Sequence, residues 1–138
     1  MLTLTRTRLW QSRLDALLSE RLHQPFAWGV HDCALFAADA VLAVTEVDPA
    51  AALRGSYSTE AEARLIIDAA GGLASIATEA LGEPVAAAMA RPGDIGLLEA
   101  GLGETLVVCV GQRWMAPADD GLKVLRLGHV AQAWRVGE

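Results

Sequence analysis

Hydrophobic and polar positions divide this chain into two halves with different periods. In the first half apolar residues recur every three or four positions. Leu9, Trp10, Leu14, Leu17, Leu18 and Leu22 fall on one stripe, with Arg13, Asp15, Glu20 and Arg21 opposite, which predicts an amphipathic helix over Thr5–Leu22. Thr5 or Thr7 is placed to cap it, and Gln24-Pro25 ends it. The run from Ala34 to about Val44 is apolar on every side except Asp39. Its length and alanine content predict a central buried helix that ends near Thr45 to Asp48. Thr59-Glu60-Ala61-Glu62 is a capping box opening a helix to about Ala70, which Gly71-Gly72 stops. Leu73 to Leu81 predicts a further helix, and Val85 to Ala90 reads as a sheet edge or a linker.

The period changes at the turn Arg91-Pro92-Gly93-Asp94. Beyond it, short apolar runs alternate with turn residues: Ile95 to Leu98, Thr105 to Val110, Arg113 to Ala116, Leu122 to Leu127 and Val130 to Val136. Breaks this close together specify antiparallel hairpins, since parallel strands need long crossovers. The expectation is an α+β fold in a single domain over residues 1–138. N-terminal helices, with the Ala34 helix at the centre, pack on a C-terminal antiparallel sheet of about five strands.

Composition narrows the function classes. The 138 residues carry a formal charge of −6, which argues against nucleic acid as a partner because that binding rests on cations against phosphates. No apolar run reaches the roughly 20 residues that span a bilayer, so no membrane span is expected. No apolar stretch with a cleavage site follows the arginines of the first residues, so no secretory signal is expected either. Two cysteines far apart, with no metal-ligand spacing, give no disulfide framework and no metal or cofactor site.

The candidate chemistry sits where the central helix starts. Asp32 is the natural N-cap, its carboxylate accepting the unpaired amides of the first turn. Cys33 then occupies the first helical position, where the positive end of the helix dipole favours a thiolate. The plainer reading is that Cys33 is core, as most cysteines in apolar helices are. His31 lies two positions from Cys33, a spacing that turns it away and makes it a contact at the helix start. His129 precedes the last strand and meets the helix end only if the sheet wraps suitably. His23 reads as a cation at the end of the first helix. Cys109 reads as core, and Trp114 and Trp134 as covers over the sheet.

The order of these pieces is similar to that of the NlpC-type cysteine peptidases, papain-like domains that cleave peptidoglycan peptides. Trp28-Gly29 precedes Asp32-Cys33, the cysteine opens a central helix, and Gly93-Asp94 opens the first strand. More narrowly, Asp32-Cys33-Ala34-Leu35-Phe36, Asp48, Arg54-Gly55-x-Tyr57, Gly71-Gly72, Gly93-Asp94 and Ala133-Trp134-Arg135 resemble a family of phage- and prophage-encoded tail domains. The resemblance implies a papain-like fold with Cys33 as nucleophile. It also implies a histidine on the strand after the Gly-Asp strand, where this chain has Thr105 or Leu106. The third polar residue would fall near Ala116 or Pro117. A thiol without a base is a poor nucleophile near neutral pH, so the family mechanism lacks its base at that position.

Three readings follow. The first is a tail-associated domain, mainly structural, with a degenerate site and other phage tail proteins as partners. It would be made in the host cytoplasm and then carried in the virion tail. The second is an active cysteine peptidase or amidase on cell-wall peptides, with Cys33 and Asp32 served by His129 or His31. The third is a peptide or small-ligand binding module that keeps the cleft open.

Overall fold

In the computed structural model, which describes residues 2–100, 103–126 and 130–137, the apolar run after Asp32 forms the helix on which the other elements pack. This helix, α2, spans Cys33–Thr45. Asp32 is its N-cap in extended conformation, and the carboxylate accepts from the Leu35 amide at 2.9 Å. Leu35, Phe36, Ala37, Ala38, Ala40, Val41 and Val44 are buried, so the helix is enclosed on most of its circumference.

Helix α1, Trp10–Arg21, lies against α2 and is shorter than the apolar stripe predicts. It starts after Leu9, with no side-chain cap, so neither Thr5 nor Thr7 caps it. Tertiary contacts hold the preceding residues out of the helix. The Arg6 guanidinium donates to the Val136 and Pro92 carbonyls and to Asp94, and stacks over Trp10 at 4.3 Å. The Thr7 amide donates to the Val44 carbonyl. Leu9, assigned to the buried stripe, is 64% exposed.

Helix α3, Glu60–Ala70, begins at the capping box. Thr59 Oγ1 accepts from the Glu62 amide, and the Glu62 carboxylate reaches back to the amide of Ser58. Gly71 closes α3, and α4, Leu73–Leu81, follows after Gly72.

The second half is a six-stranded antiparallel sheet. Its strands are β1 (Val85–Ala86), β2 (Ile95–Ala100), β3 (Gly103–Cys109), β4 (Arg113–Ala118), β5 (Gly121–Arg126) and β6 (Val130–Trp134). They lie in the order β1-β6-β2-β3-β4-β5. The strand beyond the expected five is β1, so the Val85 segment is an edge, paired to β6 at Val85↔Ala133. Side-chain alternation gives the sheet two buried faces. Ile95, Leu97, Leu106, Val108 and Trp134 join α2 and α4 in the main core. Val107, Cys109, Trp114, Ala116 and Ala133 form a second core on the other face, covered by Val85, Ala87 and Ala90. Gly96 is required there: a Cβ would stand 2.6 Å from the Trp114 ring. Both tryptophans expected over the sheet are fully buried, on opposite faces.

Asp94 closes the domain. Its carboxylate, fully buried, accepts from the amides of Arg91 and Val136 and from Arg6. One side chain thereby ties the start of the chain, the turn before β2 and the end of β6.

Candidate functional site

The site forms where two loops converge on the first turn of α2. The loop before the helix folds back on itself, with mutual amide-to-carbonyl bonds between Ala27 and His31. The Phe26 amide anchors this loop to the Ala118 carbonyl of β4, and the Phe26 and Trp28 rings meet edge to face at 4.8 Å. The second loop joins α2 to α3 and brings in Tyr57. The loops touch through Gly29, where a Cβ would lie 2.2 Å from the Tyr57 carbonyl oxygen and where φ is +78°. Only glycine meets both demands.

Asp32 is the joint between them. Oδ1 accepts from the Leu35 amide, while Oδ2 accepts from the Gly29 amide at 3.0 Å and from the Tyr57 hydroxyl at 2.5 Å. It is 1% exposed. A carboxylate holding three donors serves as a structural acceptor, and its bonds run to the helix and the two loops.

Cys33 stands in the first helical position, as its place after Asp32 predicts. Its thiol lies at a split in the sheet. Along β3 the amide of Cys109 points to the Asp94 carbonyl and that of Val110 to Arg113, so even-numbered amides face β4. The β3–β4 pairing consists of Val108↔Met115 and Cys109↔Trp114, and it ends short of Leu106. The Leu106 N–H is left to face the Cys33 sulfur. This amide and the first-turn amides of Ala34 and Cys33 favour a thiolate. Burial outweighs them, the Asp32 carboxylate adds to it, and the thiol is pushed up to about 11. The helix-start effect expected of this position is present but loses to desolvation.

Neither described histidine, His31 or His23, makes a hydrogen bond to this thiol. His31 is fully buried and turned to the α1 side, with Nδ1 3.2 Å from Arg21 Nη1 and its ring edge-on to Phe36. It makes no hydrogen bond to Cys33. His23 is exposed after α1. His129 lies outside the described residues. The strand position that the resemblance gives to a histidine is filled by Thr105 and Leu106. Leu106 points into the main core, and Thr105 points to the other face with Val107 and Cys109. Cys109 is buried in the second core and donates to the Gly111 carbonyl.

Next to Cys33 the helical hairpin α3–α4 packs over the first turn of α2. Ala63, Ile66, Ile67 and Leu73 face Cys33, Trp28 and Tyr57 across a cavity of about 40 Å³. By the space one water needs, that volume holds about three or four waters. It is far too small for a peptide. Among the described residues no three His, Cys, Asp or Glu side chains converge as a metal site, and no helix is long and apolar enough to cross a membrane.

A chain of half-buried ion pairs runs beside the site. Arg21 donates to one oxygen of Asp39 and Arg54 to the other, and Arg54 also holds Asp48. Asp48 is held below the ordinary carboxylate range chiefly by its hydrogen bond from Arg54. Periodicity does not reveal this network. The signal for it is Asp39, the polar residue in an otherwise apolar helix.

The chain belongs to a family described as a domain of unknown function, DUF6950, whose model matches residues 5–136. No curated protein and no solved structure matches it.

Proposed function

We propose that this domain is a phage or prophage tail-associated component that keeps a peptidoglycan-peptidase-like, papain-like fold and uses its former active site as a structural joint. The observation that carries the reading is the Cys33 environment. The thiol faces the Leu106 N–H of β3, and Thr105 and Leu106, the residues to which the resemblance would assign the base, carry none. The sulfur is held protonated well above neutral pH. The Asp32 carboxylate is committed to the Leu35 and Gly29 amides and the Tyr57 hydroxyl. The α3–α4 hairpin packs over Cys33 and leaves a cavity of about 40 Å³, which also weighs against the ligand-binding reading. In this role the domain is made in the host cytoplasm and packs against other tail proteins in the virion.

Two experiments test the proposal. Iodoacetamide should label Cys33 more slowly than a free thiol, with a rate still rising above about pH 8.5, and Cys33→Ser should remove the signal. Purified peptidoglycan should release no new amines. A labelling profile with an apparent pKa below about 6, together with release that Cys33→Ser abolishes, would overturn the structural reading. Proteomics of purified particles should find the chain in tails, and its absence from them would overturn the tail assignment.

A further inference from the structure

His31 is a buried ionisable group beside the candidate site to which the proposed function gives no role. Its surroundings fix its protonation state. A guanidinium only donates, so His31 Nδ1, 3.2 Å from Arg21 Nη1, presents its lone pair. The proton is therefore on Nε2, which is buried and has no hydrogen-bond partner among the described residues. Every charged group facing the ring is already engaged. Arg21, from α1, binds Asp39 as well as the imidazole. Asp39, from the middle of α2, has one oxygen on Arg21 and the other on Arg54. Asp32, at the start of α2, has its oxygens on the Leu35 and Gly29 amides and Tyr57. Phe36 presents only an aromatic edge.

A proton arriving at Nδ1 removes one of Arg21's two acceptors and sets two cations in contact in a covered niche, where the Asp39 and Asp32 carboxylates offset burial and Arg21 only in part. The backbone consequence is local. His31 and Ala27 exchange the amide bonds that close the Phe26–His31 loop, and that loop is hydrogen-bonded to the Asp32 joint through Gly29. We infer that His31 is an acid-sensitive latch: its protonation expels the imidazole, releases the Phe26–His31 loop, whose Trp28 lines the cavity at Cys33, and exposes more fully a thiol that is half-buried while the loop is in place. The inference does not depend on the tail assignment. Burial first, and Arg21 second, hold His31 below the ordinary histidine range. The latch is thus fully closed above about pH 6.5 and opens as pH falls through the lowered value.

The test uses the full chain with Cys109→Ala, so that Cys33 is the remaining thiol. The probe is 2,2′-dithiodipyridine, which reacts with thiols in acid, with rates normalised to a small free thiol. From about pH 7.5 to about pH 5 the normalised rate should rise at least about tenfold, and His31→Gln should be flat across that range. A flat rate in the parent protein, or an equal rise in His31→Gln, would overturn the latch. Hydrogen exchange on the parent protein decides independently of whether the variant folds. Protection of the Ala27 and His31 amides, corrected for intrinsic rate, should fall over this range while α2 amides stay protected. Unchanged protection, or simultaneous loss across α2, would refute a local release.

Discussion

Two buried carboxylates, Asp32 and Asp94, stand at the starts of central elements, and the contrast between them shows what kind of place the Cys33 region is. Asp94 joins three distant pieces of chain with two backbone amides and a buried guanidinium, Arg6, whose side chain is 4% exposed. Asp32 also joins three pieces, but with two amides and a phenol, all neutral. No chemistry is suspected at Asp94. The region with a candidate nucleophile is built like the region with none, and its carboxylate has no free role towards the sulfur. The two differ in how the charge is met: by a full cation at Asp94, and by oriented dipoles and a helix N-terminus at Asp32.

Substitutions can sharpen or break this contrast. Asp94→Ala strands the Arg6 cation and two amide donors, and should cost about 3–5 kcal/mol in urea denaturation. A loss under about 1 kcal/mol would mean that water reaches Arg6 and that the joint is looser than its burial indicates. Asp32→Ala should cost less, about 2–3 kcal/mol, because it leaves neutral donors unpaired rather than a charge. That exceeds the roughly 1 kcal/mol of a simple helix cap, since Gly29 and Tyr57 also lose their acceptor. If it cost as much as Asp94→Ala, the distinction between cation and dipole would fail. Tyr57→Phe removes a single donor and leaves Asp32 with its two amides. A loss of about 1 kcal/mol is expected, measured by the same denaturation. A loss above about 2 kcal/mol would make the phenol, and not the amides, the main support of that carboxylate.

What was legible in the sequence was what neighbours along the chain decide. The Asp32 cap, the Thr59 box, the Gly71-Gly72 stop and the breaks at Gly111-Gln112 and Asp119-Asp120 are each set by groups a few residues apart, and each is found. Gly103-Glu104 belong to β3, and the breaks at Gly101-Leu102 and Gly128-His129 lie outside the described residues. Distance along the chain hid the rest. Arg6 holds the first residues out of α1 through Asp94 and Val136, so the apolar stripe overran the helix start. Strand β1 is two residues long and exists by pairing with β6. The Tyr57 bond to Asp32 and the bridge from Arg21 through Asp39 to Arg54 join separate segments of the chain. At Cys33 the pattern showed the helix start that favours a thiolate. It could not weigh the burial that defeats it, because burial comes from β3 and the α3–α4 hairpin.

The position of β6 bears on the order in which this protein is made and folded. The strand slots between β1 and β2, and Val136 just beyond it donates to Asp94. While residues up to about 125 emerge from the ribosome, the β2–β5 meander can zip through neighbouring hairpins. Over that time β2 presents an open edge, and β1 has no strand to join. Closure waits for β6, so the nascent protein carries an exposed hydrogen-bonding edge on β2 from the time that strand is made until Val130–Trp134 follows. A ribosome stalled before Val130 should therefore hold a chain that is protease-sensitive in residues 85–100 and prone to associate. Extending the arrest point past Gly137, with a linker to clear the exit tunnel, should convert it abruptly to the protected form.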